Sequence, residues 1–177
     1  MRRLMLLRHA KTEIDSPSGR DQDRRLDTRG RKDAAEIGDW IGRHPPLPDV
    51  VMVSSAVRAK ETWDIASAAI KEHAAPPEVE WVTELYGADP AQLLKIIRMA
   101  SASDPQRLML VGHNPGMHEL SLALTSSGDA RGRRALADNL PTSGLAVFDF
   151  AIDDWNDVAF RRGELTVFVS PKLLRQA

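Results

Sequence analysis

Arg8-His9 follows directly on the apolar run Leu4-Met5-Leu6-Leu7, and a second histidine follows on Leu108-Met109-Leu110-Val111 in the segment Gly112-His113-Asn114-Pro115-Gly116. A neutral imidazole is a nucleophile and a protonated one is a donor, so two of them beside a guanidinium suit the transfer of a phosphoryl group. Arginine adds a planar fork that grips two nonbridging oxygens at once. Arg58 supplies a second fork, in Ser54-Ser55-Ala56-Val57-Arg58 after the apolar run Val50-Val51-Met52-Val53. A cation in the first turn of a helix opposes the helix dipole, which leaves anion binding as the better reason for it. Arg24, in Asp23-Arg24-Arg25-Leu26, is a third candidate, with Arg25 as its alternate. Like-charge repulsion among these arginines should lower the imidazole pKa and keep the His9 lone pair free, while His113, holding its proton, would face the equatorial oxygens. Either histidine alone would read as a buried core residue; sharing a context with Arg8 and Arg58 reverses that reading.

Such a site needs elements that bring distant segments to one point. Short apolar runs alternate here with helical patterns, the layout of an α/β fold with a mostly parallel sheet, in which sites form beyond the carboxyl ends of strands. Strands are expected at 4–7, 50–53, 78–83 and 108–111, followed by an antiparallel hairpin of 145–152 and 164–170. Helices are expected over 28–43, with Ala34, Ile37, Trp40 and Ile41 as the buried stripe, and over 57–73, with Trp63, Ile65, Ala66 and Ile70 inward. A third should open with Asp89 as cap, Pro90 at the first position and Gln92 closing a capping box, and carry Leu93, Leu94, Ile97 and Met99. Asn114-Pro115 repeats the cap-then-proline pattern, so His113 should sit beside a helix amino terminus, with Leu120, Leu122 and Leu124 along that helix. Residues 12–27 read as a polar surface loop. The stretch 126–142, with Gly128, Gly132, Arg131, Arg133 and Arg134, suggests a mobile excursion and receives no fixed structure.

The 177 residues, 42% hydrophobic and 28% charged, suffice for one globular domain over 1–177. A net charge of -1 gives no overall attraction to nucleic acid or to an anionic membrane, so anion binding must come from a local cluster. The absence of cysteine excludes disulfides, zinc thiolate sites and thiol nucleophiles. The apolar block after Met1-Arg2-Arg3 is too short for a signal peptide and no stretch could span a bilayer, so a soluble cytoplasmic protein is expected.

Taken in order, Arg8-His9-Ala10, Arg58 and His113 resemble the histidine phosphatase superfamily, the group of phosphoglycerate mutases and acid phosphatases. The blocks Arg24-Arg25-Leu26-Asp27-Thr28-Arg29-Gly30, Ser55-Ala56-Val57-Arg58-Ala59-Lys60-Glu61-Thr62, Val111-Gly112-His113-Asn114-Pro115-Gly116 and Ser170-Pro171-Lys172 look like those of SixA-type phosphohistidine phosphatases. The resemblance implies a three-layer α/β/α sandwich with a phosphoglycerate mutase-like, mostly parallel sheet. By the same resemblance His9 is the phosphoryl acceptor, Arg8, Arg58 and His113 complete the phosphate pocket, and Arg24 is an additional anion contact. No metal or organic cofactor is implied.

Phosphatases acting on alkyl esters need an acid to protonate the leaving oxygen, and here the candidate general acid is Glu84, in a turn unlike that of the mutases. It reads equally as a surface acid. A phosphohistidine loosens the need, because its nitrogen leaves readily once the ring is protonated. The chain also has no long insertion to build a lid. Both points favour a phosphorylated protein as partner, with a histidine phosphotransfer domain as one candidate. The alternatives are a phosphatase of small phosphorylated metabolites and a noncatalytic phosphate-recognition module. His44, His73 and His118 should face solvent or pack locally, and the 131–134 arginines are either solvated or a docking aid for an acidic partner.

Overall fold

The computed structural model describes residues 1–176. The strands are β1 (Arg2–Arg8), β2 (Val50–Ser54), β3 (Glu78–Val82), β4 (Arg107–Gly112), β5 (Thr125–Gly128), β6 (Leu145–Phe150) and β7 (Gly163–Val169). Between and after them run α1 (Thr28–Arg43), α2 (Val57–Lys71), α3 (Pro90–Met99), α4 (Gly116–Leu124), α5 (Ala130–Asp138) and α6 (Pro171–Gln176). All seven strands join one sheet in the order β3-β2-β4-β1-β6-β7-β5. The β3-β2, β2-β4, β4-β1 and β7-β5 pairs are parallel, while β6 runs antiparallel to both β1 and β7.

Side chains of a strand alternate between faces, and β1 shows this directly. Met5 and Leu7 join Ile37, Ile41, Trp63, Ala66 and Ile70 of α1 and α2 in one core. Leu4 and Leu6 join Leu93, Ile97, Met117, Leu120 and Leu136, from α3, α4 and α5, in the other. This is the expected α/β/α sandwich, with both faces of the sheet covered, as a parallel sheet requires. The central strands read as continuous apolar runs for the same reason.

Ala34, Ile37 and Ile41 of the α1 stripe and the 145–152/164–170 hairpin form as expected, and Asp89 and Gln92 make the reciprocal capping box at the start of α3. Four expectations fail. The 126–142 stretch is ordered: it pairs as β5 along β7 and then turns through Asp129, whose carboxylate accepts from Gly132 N at 2.8 Å, into α5. Its buried leucines are Leu136 in α5 and Leu140 beyond it, which is too little periodicity to show in the sequence. Met99 and Leu122 are exposed rather than buried, since each lies off the stripe that faces the sheet. Trp40 is only partly covered and stacks on His44, with ring centroids 4.1 Å apart. Finally, α4 begins at Gly116 with Pro115 in the cap position, and Asn114 acts from one residue further out, its Oδ1 accepting from His118 N at 3.2 Å.

Two glycines let helix starts press against the strand exits. A Cβ on Gly30, in the first turn of α1, would lie 1.9 Å from the Lys11 carbonyl oxygen, and one on Gly116 would lie 2.0 Å from that of Ala88. Asp27 caps α1 at the same point by accepting from Gly30 N at 2.7 Å.

Candidate active site

His9 leaves the end of β1 and His113 the end of β4, adjacent parallel strands, so the two rings meet with centroids 5.2 Å apart. Backbone bonds hold this junction: His9 N donates to Gly112 O at 3.0 Å, and Ser143 N donates to the carbonyls of Arg8 and His9. Ala10 N donates to Thr62 Oγ1 at 2.9 Å, and that hydroxyl donates to Arg58 O at 2.7 Å, so one threonine of α2 fixes both the nucleophile loop and the arginine turn.

The protonation pattern of each ring follows from its partners. His9 Nδ1 lies 2.7 Å from the Ala10 carbonyl oxygen. A carbonyl can only accept, so Nδ1 carries the hydrogen and Nε2 keeps its lone pair. His113 Nε2 lies 2.7 Å from Ser54 Oγ, which also accepts from Ala56 N at 3.3 Å. Ser54 is fully buried, and His113 Nε2 is the acceptor within reach of its hydroxyl hydrogen among the described residues. Leaving that hydrogen unpaired would cost about 1–3 kcal/mol. Ser54 therefore donates to Nε2, which puts the His113 hydrogen on Nδ1, a buried atom with no partner among the described residues.

Burial is the first cause of the pKa depression at both rings. It takes His9 down to about 3, with His113, Arg58 and Arg8 adding repulsion, and takes His113 down to about 4, with Arg58 and Arg8 adding. The arginine repulsion expected from the sequence is thus real but secondary. With its pKa this low His113 is neutral at neutral pH, and its Nδ1–H can still donate.

Arg8 is half-buried at the end of β1, its Nη1 donating to Leu140 O at 3.1 Å and its Nε buried without a partner among the described residues. Asn114 Nδ2 donates to the same carbonyl at 2.9 Å. Arg58 sits in the first turn of α2, only 6% exposed, as expected, and it is already bound to an anion of the chain itself. Its Nη2 donates to Asp21 Oδ2 at 2.9 Å and its Nη1 to Asp21 O at 2.7 Å. Arg24 reaches the same carboxylate, Nη1 to Asp21 Oδ1 at 3.1 Å, while its other nitrogens are taken by Glu13 O and Thr12 Oγ1.

Glu84 lies exposed in the 3-10 turn Thr83–Leu85. It makes no hydrogen bond or ion pair with His9, His113, Arg8 or Arg58 among the described residues. The side chain of this turn that reaches the site is Tyr86. Its ring stands edge-on to His113 at 5.5 Å, the Arg58 guanidinium lies 5.7 Å from its centre, and its hydroxyl donates to Asp21 Oδ2 at 2.6 Å. Asp21, Tyr86, Ser54 and Thr62 are the contributors whose roles the sequence did not indicate. Ser54 and Thr62 flank or belong to the arginine motif; Asp21 and Tyr86 lie in loops with no pattern of their own.

A neutral imidazole with a free Nε2, a second ring offering one N–H and two arginine forks lie at the strand exits of an α/β sandwich, an arrangement chemically able to hold a tetrahedral oxyanion. The family model of the histidine phosphatase superfamily (branch 1) matches residues 4–85. An uncharacterised protein of Mycobacterium leprae is 34% identical over 174 residues, covering 94% of this chain and all of that one. The structure assigned as phosphohistidine phosphatase SixA of Agrobacterium tumefaciens is 32% identical, covers 96% of this chain and 98% of its own, and superposes with a TM-score of 0.78. The chain belongs to the histidine phosphatase superfamily. The fold extends to a SixA bound to tungstate, at 19% identity, 97% and 99% coverage and a TM-score of 0.73. It extends as well to a mycobacterial glucosyl-3-phosphoglycerate phosphatase, at 18% identity, 96% and 100% coverage and a TM-score of 0.66.

Proposed function

We propose that this chain is a phosphohydrolase that works through a phosphohistidine at His9 and takes its phosphoryl group from phosphohistidine on a partner protein, for which a histidine phosphotransfer domain is one carrier. The observation that carries the reading is the His9 tautomer: with Nδ1 committed to the Ala10 carbonyl, Nε2 presents a lone pair beside His113 and the two arginines. A lowered pKa keeps that nitrogen unprotonated across the working range, where an ordinary histidine would be partly charged.

In the first step the His9 Nε2 lone pair forms a bond to phosphorus while the bond to the leaving group breaks on the opposite side, its electrons going to the departing atom. Arg8, Arg58 and the His113 Nδ1–H stabilise the three equatorial oxygens, where most of the catalysis lies. Water then attacks the phosphorus on His9, releases inorganic phosphate and returns the lone pair to Nε2. When the leaving atom is the nitrogen of an imidazole protonated on its other nitrogen, the product departs as neutral imidazole and no acid is required at that position. That Glu84 makes no hydrogen bond or ion pair with His9, His113, Arg8 or Arg58 among the described residues supports this substrate over an alkyl ester. No helix is long and apolar enough to cross a membrane among the described residues, and we place the activity in the cytoplasm.

The test is His9→Ala assayed on a phosphohistidine protein alongside a panel of phosphate esters. The wild type should release phosphate fastest from phosphohistidine, and His9→Ala should release none while keeping its circular dichroism spectrum. Acid-labile phosphate should accumulate on His9 during turnover. A wild type that binds phosphate but never turns over would instead make the chain a recognition module, and one that prefers esters would make it a metabolite phosphatase.

A further inference from the structure

Of the side chains around the pocket, Asp21 has the wrong charge for holding phosphate. Its carboxylate is bonded to Arg58 and Arg24, two of the guanidinium groups expected to grip a phosphoryl group, and to the hydroxyl of Tyr86. That hydroxyl, then Arg24 and Arg58, hold the Asp21 carboxyl well below the usual carboxylate range, so it is anionic at any working pH. The side chain is about half exposed (49%), whereas His9 is 8% exposed. Asp21 is thus the solvent-open partner of Arg58, and His9 is buried.

An in-line displacement puts the leaving group on the side of phosphorus away from the nucleophile. The Arg58 fork holds the Asp21 carboxylate next to the phosphoryl site proposed above, within range of a group leaving on that side. We infer that Asp21 is a specificity determinant that selects leaving groups bearing positive charge at the scissile atom's ring, such as the protonated imidazole of phosphohistidine, and disfavours those that depart as anions. The inference rests on the proposed function and deepens it. A carboxylate beside Arg58 attracts the imidazolium of the substrate and favours its protonated form, the form whose nitrogen leaves as a neutral ring. The same carboxylate disfavours a leaving group that departs as an anion, such as the phenolate of an aryl ester, and competes with free phosphate for Arg58.

The experiment uses the full chain, wild type and Asp21→Asn, with a phosphohistidine peptide, p-nitrophenyl phosphate and inorganic phosphate as inhibitor. With this charge removed, kcat/KM for phosphohistidine should fall roughly 5- to 10-fold while that for the ester rises severalfold. Phosphate should inhibit the variant several times more strongly. Asp21→Glu should restore the wild-type preference in part. Equal losses on both substrates would show that Asp21 merely steadies Arg58, and unchanged constants would show that it does nothing; either overturns the inference and leaves the phosphohistidine reading standing. A wild type inactive on phosphohistidine overturns both.

Discussion

The floor and the rim of the pocket are built by opposite means. On the floor, His9, Ser54, Arg58 and His113 are at most 8% exposed, and their geometry is set by backbone carbonyls, short hydroxyls and adjacent parallel strands. On the rim, Asp21, Arg24 and Tyr86 come from two loops and hold one another through partly exposed charged contacts. Buried hydrogen bonds are costly to break, while exposed ion pairs contribute about 0–1 kcal/mol. The difference teaches that the floor is held by bonds that are costly to break and the rim by contacts that a substitution can change at little cost.

The sharpest way to break this comparison is at the nucleophile. His9→Ala should abolish turnover altogether, and Asp21→Asn should leave turnover measurable; comparable losses would erase the distinction. Next comes the support of the floor. Gly30→Ala drives a methyl into the Lys11 carbonyl two residues from His9 and should destabilise the chain by ~1–3 kcal/mol in urea titration. Ser54→Ala removes the donor that fixes the His113 tautomer and should lower kcat about 10-fold with KM little changed, since it weakens a contact that matters most in the transition state.

A pH series separates floor from rim without mutation. An unfolded histidine takes up a proton near 6.5, whereas the folded chain protonates His113 only near 4 and His9 near 3, so the unfolded chain binds more protons between these values. Stability should be full above pH 6.5 and fall as pH drops through that interval, and a His9→Ala/His113→Ala variant should show a flatter fall in denaturation midpoint from pH 7 to 5. Asp21 is depressed too, but its window lies below its unfolded value of 3.8 and leaves this range untouched. The smallest effect is expected at Glu84: Glu84→Gln should change phosphohistidine turnover less than twofold, and a large loss on esters would instead assign it the proton donor's role.

Much of the floor could be read directly from the amino-acid order. Three apolar runs, 4–7, 50–53 and 108–111, each leading into a histidine or an arginine turn, specify strands whose exits converge, because a strand buried on both faces must be apolar throughout and must end where polarity begins. Arg8, His9, Arg58 and His113 follow from that local pattern, as do α1, the capping box of α3 and the final hairpin. What tertiary structure alone decided are features made by residues distant in the chain. Asp21 meets Arg58 across 37 positions and Tyr86 across 65, and His113 meets Ser54 across 59, so no local spacing announces them. Burial likewise belongs to the assembled sandwich: it makes desolvation, rather than the neighbouring arginines, the main force on both imidazoles, and it orders β5 and α5, whose sequence has little hydrophobic rhythm, against β7. Local pattern selects which groups are present; only packing determines what each one faces.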